Sequence, residues 1–226
     1  FSLMLVFCVV SCGKKDQKAK NDSRFTTKQV EITDEKPEYL LNDMSISGFR
    51  VNDTINGIKV NLLCPVVKSK TAGFSTKLIY EISNSYFKNF VADAKEKGKN
   101  DSVYHQLNIR TVFVNSKAGL ISCLMEENAK FVGEENCKSY FGVTYKKTND
   151  KALSFAEVFP IDEANFDEFK LLFSPKAEAL SKKDFDESQF AIGKDSLYVF
   201  VGGKESSQTK FSAPIQSIEG FIINGK

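Results

Sequence analysis

Tryptophan is absent from this sequence, and histidine occurs once, at His105. A lone imidazole leaves no His-rich ligand set; with no C-x-x-C spacing and no His near any cysteine, tetrahedral Cys/His zinc ligation is not expected. G-x-S-x-G elbows, P-loops and dinucleotide fingerprints are missing as well, so neither a cofactor nor a metal is expected. Charge of one sign is not in excess: 31 Lys+Arg against 29 Asp+Glu give a formal +2. That balance sets up no strong field toward nucleic acid, and no nucleic-acid partner is expected. No apolar run approaches the roughly 20 residues that a membrane-spanning helix requires. With only 5 Pro and 13 Gly, the chain is neither collagen-like nor disordered by composition.

What is present is phenylalanine, 20 residues in a chain of 226 that is 42% hydrophobic. A chain of this length buries roughly 70% of its unfolded surface in one core or two small ones packed together, without metal or disulfide. The aromatic count therefore reads first as packing.

Phe1 to Val10 is apolar and ends at Ser11-Cys12-Gly13, followed by the charged run Lys14-Lys15-Asp16-Gln17-Lys18. The length suits the hydrophobic region of a signal peptide. Val9-Val10-Ser11-Cys12 resembles the lipobox of bacterial lipoproteins, in which the Cys is acylated and becomes the new N-terminus. A basic leader and an initiator Met are missing ahead of it, so the expectation is a signal peptide over 1–11 with a truncated start. Lipid on Cys12 would make the membrane a partner, with a bacterial envelope location, periplasmic or surface-exposed; more than one acyl chain gives stable anchoring. The alternatives are a non-lipidated secretory signal and a buried strand. Of the other cysteines, Cys8 lies in the cleaved segment, and Cys64 and Cys123 sit in apolar runs as small hydrophobes. An oxidising compartment would also allow a Cys123–Cys137 bridge.

Residues 12–43 are polar and read as a tether. The folded part is expected in two α+β halves, 44–150 and 151–226, packed as one unit. Met44 to Val51 and Ile58 to Val67 read as strands about the turn Asn52 to Gly57, with Pro65 marking an edge or strand end. Leu78, Ile79, Ile82, Tyr86, Phe87, Phe90, Val91 and Ala94 recur at helical spacing and predict a helix over 75–97 lying across a sheet. Strands follow at 103–115, 119–127 and 137–147, with Leu107, Ile109 and Phe113 alternating in the first and a turn at Asn115 to Gly119. A second helix, capped by Asp162, carries Phe166, Phe169, Leu172 and Phe173; Ser174-Pro175 interrupts it, and Ser174 is read as the cap of a short helix to about Lys183. Strands return at 189–192, 197–201 and 210–215, with a turn at Gly193 to Asp195. This order predicts an α+β fold of antiparallel sheet with two principal helices packed on it.

Candidate chemistry is thin. His105 reads as exposed or satisfied. The carboxylate runs Glu126-Glu127, Glu134-Glu135 and Asp184 to Glu187 read as solvated faces. Two loops are the best candidates for recognition, because loops on a rigid scaffold commonly carry it: Phe131, Gly133, Glu134, Glu135 and Asn136 in one, and Gly202, Gly203 and Lys204 in the other. Both also read as plain solvated turns. A glycan-directed hydrolase using Glu134 and Glu135 is the rival reading, weakened because adjacent residues in an extended segment point apart.

Leu153-Ser-Phe-Ala-Glu-Val-Phe159, the Phe166 to Phe173 helix, Phe190 to Phe200 and Phe211-Ser-Ala-Pro-Ile215 resemble a bacterial extracytoplasmic domain family. It is the domain of unknown function shared by lysozyme-sensing anti-sigma factors and the N-terminal regions of peptidoglycan deacetylases. Val60 to Val67, the Leu78 to Phe90 helix and Gly119-Leu-Ile-Ser122 are similar to its first half and central strands. Where the family often has a Gly-Gly and His turn after an aromatic, this chain has Phe131-Val132-Gly133-Glu134-Glu135-Asn136. The resemblance implies a binding or sensing module of the envelope, with a lysozyme-like protein or peptidoglycan as candidate ligands, and implies no activity; with the anchor, the tether and no convincing catalytic set, the expectation is a module without catalytic activity.

Overall fold

The computed structural model describes residues 27–30, 37–42, 44–55, 58–69, 76–97, 104–148, 151–173, 175–202 and 208–223. Strands β1 (Thr27–Val30), β2 (Met44–Ile55), β3 (Ile58–Ser69), β4 (His105–Lys117), β5 (Leu120–Lys130) and β6 (Cys137–Lys146) form a six-stranded sheet in sequence order. Helix α1 (Thr76–Glu96) joins β3 to β4, and these two strands run parallel, since a helical crossover returns the chain to the end it left. Every other strand pair is antiparallel. A three-stranded sheet of β7 (Gln189–Ile192), β8 (Ser196–Val201) and β9 (Thr209–Pro214) lies against the large one. Between the sheets in sequence come α2 (Phe155–Val158), α3 (Glu163–Lys170), a 3-10 turn (Pro175–Ala179) and α4 (Lys182–Asp186); α5 (Ile215–Ile218) and a last 3-10 turn follow β9. The fold is α+β.

Turn chemistry fixes the registers. The β2–β3 pairing runs on to Ile55↔Ile58, so both strands outrun their expected ends; Asn56 and Gly57 lie outside the described residues. Pro65 falls within β3, two residues past the last parallel pair, Leu63↔Asn108, where its missing N–H costs no bond to β4. At the β4–β5 turn, Ala118 (φ 50°) and Gly119 (φ 74°) both take left-handed backbone, as a primed hairpin turn demands.

The two faces of the large sheet bury different layers. Ile79, Phe87, Phe90 and Ala94 of α1 pack on Leu107, Ile109, Cys123, Met125, Phe141 and Val143. Phe113 is not on that face. The register slips between Thr111 and Phe113, a bulge that inserts Val112 and reverses the alternation, so Phe113 turns to the opposite side and packs with Leu124, Ala191 and Phe200. On that second side, β7 crosses β6 at Gly142, where an added Cβ would lie 1.6 Å from the Phe190 carbonyl oxygen. Ser122 Oγ accepts the Ile192 N–H at 2.9 Å, and Asn115 Nδ2 donates to the carbonyls of Ile192 (3.2 Å) and Gly193 (2.8 Å). Beyond this contact, Phe155, Phe159, Phe169, Phe185 and Phe190 share one aromatic cluster with the inner face of the small sheet. Its short helices are pinned by their caps: Asp162 accepts from Asn165 N–H, and Ser154 with Glu157 and Ser181 with Asp184 form capping boxes. The short helix after Pro175 is thus split into a 3-10 turn and α4, whose cap is Ser181; Ser174 lies outside the described residues.

The stretch read as a tether differs in its second half. Thr27–Val30 pairs with β2, and Tyr39 stacks on Phe113 at 4.9 Å, its hydroxyl accepting the Lys194 N–H at 2.5 Å. Glu38 N–H donates to Val112 O and Val114 N–H to Tyr39 O, so this segment flanks β4 at its bulge. The expected start at Met44 is therefore late. Cys123 and Cys137 are free; Cys123 is buried and Cys137 exposed, and Cys137 pairs with Ala129, six residues along β5 from Cys123. That is roughly 20 Å of strand, beyond the reach of a disulfide. Among the described residues, no helix is long and apolar enough to cross a membrane.

Candidate functional site

Bulge and alternation together leave the small-sheet side of β4, β5 and β6 with two polar cross-strand rows. Arg110, Glu126 and Tyr140 are register partners in the first, and Asn108, Asn128 and Lys138 in the second. At the centre, Glu126 is 3% exposed. Arg110 grips it with both arms, Nε to Oε1 at 2.8 Å and Nη2 to Oε2 at 3.0 Å; Asn128 Nδ2 donates to Oε1 at 2.9 Å, and Lys138 Nζ pairs with Oε2. Burial alone would raise the carboxyl's pKa, but the hydrogen bonds from Arg110, Lys138, Asn128 and Tyr140 outweigh it and hold it at about 2. Glu126 is a fixed anion that presents two cations.

An aromatic wall adjoins the rows. Tyr140 stacks on Phe200 at 4.9 Å, and Lys138 Nζ lies 5.4 Å from the Tyr140 ring centre. Gln208, just past the β8–β9 loop, clasps the backbone of Tyr140: its Oε1 accepts the Tyr140 N–H at 2.7 Å and its Nε2 donates to Tyr140 O at 2.9 Å. The polar face is thus bordered by the β5–β6 loop and by Gln208, which leads into β9.

The residues of the two loops singled out in the sequence divide. Phe131 is half-buried, stacked on Phe90 (5.1 Å) and set edge-on to His105 (5.8 Å), so it anchors the loop. His105 is buried, and its Nδ1 accepts the Val132 N–H at 3.3 Å: a satisfied structural histidine. Glu134 is ion-paired with Lys97 at the end of α1 at 2.6 Å. Gly133 takes a φ of 84° with open space around it, so backbone conformation is what requires glycine there. Glu135 and Asn136 are exposed. Gly202, also exposed, turns at φ 104°; Gly203, Lys204 and Cys12 lie outside the described residues. The Glu134 carboxylate, bound to a lysine, is not arranged as half of an acid–base pair with Glu135.

Glu126 and Glu127 correct the reading of a solvated run. Both are buried in β5 and face opposite layers, Glu127 accepting from Ser139 Oγ at 2.8 Å on the α1 side. Sequence reasoning missed the polar rows because it scored the carboxylates as neighbours along the chain. The available signal was polar alternation in three successive strands: Asn108 and Arg110, Glu126 and Asn128, Lys138 and Tyr140. Other groups offer little to chemistry at neutral pH. Burial pushes the Cys123 thiol up to about 12, and no cluster of three metal-ligating side chains occurs among the described residues.

No family model matches the chain. No curated protein matches it in sequence. Among solved structures, it is similar to a DUF3298-family protein of Bacteroides fragilis, at 13% identity and a TM-score of 0.45, over 79% of this chain and 93% of that one. A DUF3298-family protein of Pseudomonas aeruginosa matches at 12% identity and a TM-score of 0.46, over 90% of this chain and 97% of that one.

Proposed function

We propose that this chain is a binding or sensing module of the bacterial cell envelope, anchored by lipid on Cys12 and without catalytic activity of its own. One observation carries the reading: the best-organised polar group on the small-sheet side of β4, β5 and β6, Glu126, is saturated with donors and held ionised at about 2. A carboxylate in that state neither gives nor takes a proton near neutrality, as general acid–base work requires. It presents Arg110 and Lys138 in a fixed geometry, which is what recognition requires. The lipobox-like Val9-Val10-Ser11-Cys12 and the polar residues behind it favour a head held off a bilayer, with a lysozyme-like protein or peptidoglycan as ligand.

The test uses native protein extracted from membranes. Mass spectrometry should find acyl chains on Cys12, and the immobilised protein should retain wall fragments or lysozyme from envelope fractions. Unmodified Cys12 would remove the anchor from the reading, and peptidoglycan turnover abolished by Glu134→Gln would replace the binding module with a hydrolase.

A further inference from the structure

We infer that His105 is a pH-sensitive latch on the β5–β6 turn: the neutral ring holds the turn, and a second proton on the ring releases it. The latch follows from the geometry of the turn and needs nothing from the envelope-binding reading.

Phe131 to Glu134 form a tight turn, closed by the Glu134 N–H donating to Phe131 O at 3.1 Å. Gly133, its third residue, has φ 84°, the left-handed backbone that a type II turn requires there. The N–H of the second residue, Val132, is not used in closing the turn and donates instead to His105 Nδ1 at 3.3 Å. His105 begins β4, is 1% exposed and is held in place by its parallel pairing with Val60 of β3. One hydrogen bond therefore ties a loop to a buried, fixed position in the sheet.

The donor settles where the ring carries its proton. A backbone N–H only donates, so Nδ1 is an acceptor and the single proton of the neutral imidazole sits on Nε2. Whatever Nε2 donates to, the next proton goes onto Nδ1. Two N–H groups then face each other at hydrogen-bond distance, and the bond that held Val132 becomes a repulsive contact. The partner of Nε2 moves the pH at which this happens and does not change which atom is protonated. Imidazole suits such a switch, since it ordinarily changes charge between about pH 5 and 8.

The charges around the ring favour movement of the turn. Lys97, one residue past α1, lies over the Phe131 ring at 5.8 Å and is ion-paired with Glu134 at 2.6 Å. His105 meets the same Phe131 ring edge-on at 5.8 Å. A charged His105 thus meets an existing cation across that ring, while the Glu134 carboxylate is already held by Lys97. Glu135 is exposed in the loop, and Lys130 at the end of β5 stands opposite Gln106. On the β3 side, Lys59 lies over the Tyr104 ring at 5.8 Å. Phe131 stays stacked on Phe90 at 5.1 Å, whereas Gly133 and Glu134 are exposed, so the release is confined to Val132 and the residues that follow it.

The experiment follows the full chain by NMR as the pH falls from about 7.5 to about 5. His105 is the only histidine, so one imidazole signal reports its charge. The amides of Val132, Gly133 and Glu134 should shift with the midpoint of that signal. Exchange of the Val132 amide, corrected for its intrinsic pH dependence, should speed up about tenfold, while Phe90 in α1 keeps its protection. Glu134→Gln, at an exposed position, removes the carboxylate paired with Lys97 and should leave this response in place. His105→Asn puts an amide oxygen in the place of Nδ1, which accepts from Val132 and takes no proton in this range, so the response should vanish. Loop amides that stay still while the ring titrates overturn the latch, as does a ring that stays neutral until the whole chain unfolds. A response lost in Glu134→Gln, or kept in His105→Asn, also overturns it. If His105→Asn does not fold, the titrations of the parent and of Glu134→Gln decide between these outcomes.

Discussion

At the residue scale, Glu126 converts burial into a pH dependence whose sign is fixed. Its folded pKa, about 2, lies below the ordinary carboxylate value of roughly 4.3, so the ionised form is favoured by folding. Its contribution is complete above about pH 5 and is lost as the pH falls through the ordinary value toward 2. Glu126→Gln should therefore be less stable than the parent by roughly 2–4 kcal/mol near neutrality, and the deficit should shrink steadily below pH 5. Denaturant unfolding at pH 7, 4 and 2.5 measures it; a deficit constant across that range would show that lost packing, not charge, sets the cost. Thr111 is the opposite case. Its hydroxyl is buried in the α1 layer, next to the bulge, with no partner. Thr111→Val keeps the shape and removes the orphan, so the melting temperature should rise with a gain of about 1 kcal/mol. A loss would mean that the hydroxyl finds a bond in solution.

At the element scale, what the sequence disclosed depended on whether the governing interaction was local. Helix α1, the Asp162 cap and the strand blocks were legible because periodicity and capping act within a few residues. The side taken by Phe113 was not, since one extra residue, Val112, reverses the alternation and nothing in the local pattern marks it. The candidate site divided in the same way. Its loops were visible as turn-forming residues, whereas the Arg110–Glu126–Lys138 cluster exists only once three strands are in register. Gly142 shows the same limit: it passed unremarked inside a strand block, and only the packed sheets identify β7 as the neighbour that requires glycine there. Gly142→Ala should push Phe190 out of line, because the obstacle is backbone and cannot swing aside. A loss of roughly 3 kcal/mol or more is expected, with the near-ultraviolet signal of the phenylalanine cluster disturbed. Unchanged melting would mean that the sheets slide past each other without penalty.

At the scale of the whole molecule, two layers that share β5 and β6 must be kept in one relative position, and the arrangement depends on a few polar fastenings. Ser122, paired with Thr144 Oγ1 at 2.8 Å, holds the backbone of β7, and Asn115 holds the β7–β8 turn. Tyr39 is the third fastening and comes from a segment distant in sequence. It stacks on Phe113 of the large sheet, takes the Lys194 N–H of the small sheet's turn, and fits against Gly193, where an added Cβ would lie 2.7 Å from its hydroxyl oxygen. The ring is wedged between both layers at the point where the chain arrives from its N-terminal side. Burial pushes its phenol well above the ordinary tyrosine range, so it stays a neutral hydroxyl at physiological pH. Tyr39→Phe keeps the stack and leaves the exposed Lys194 N–H to water, so it should cost under about 1 kcal/mol. Tyr39→Ala removes the wedge as well and should cost about 2 kcal/mol, less than a fully buried aromatic because the ring is half-exposed. The distinguishing measurement is hydrogen exchange. With Tyr39→Ala, amides of the β7–β8 turn and of β4 around Val112 should exchange faster, while α1 on the far face keeps its protection. Uniform acceleration through α1 would instead mean that the two layers unfold as one unit and that Tyr39 contributes only to their common stability.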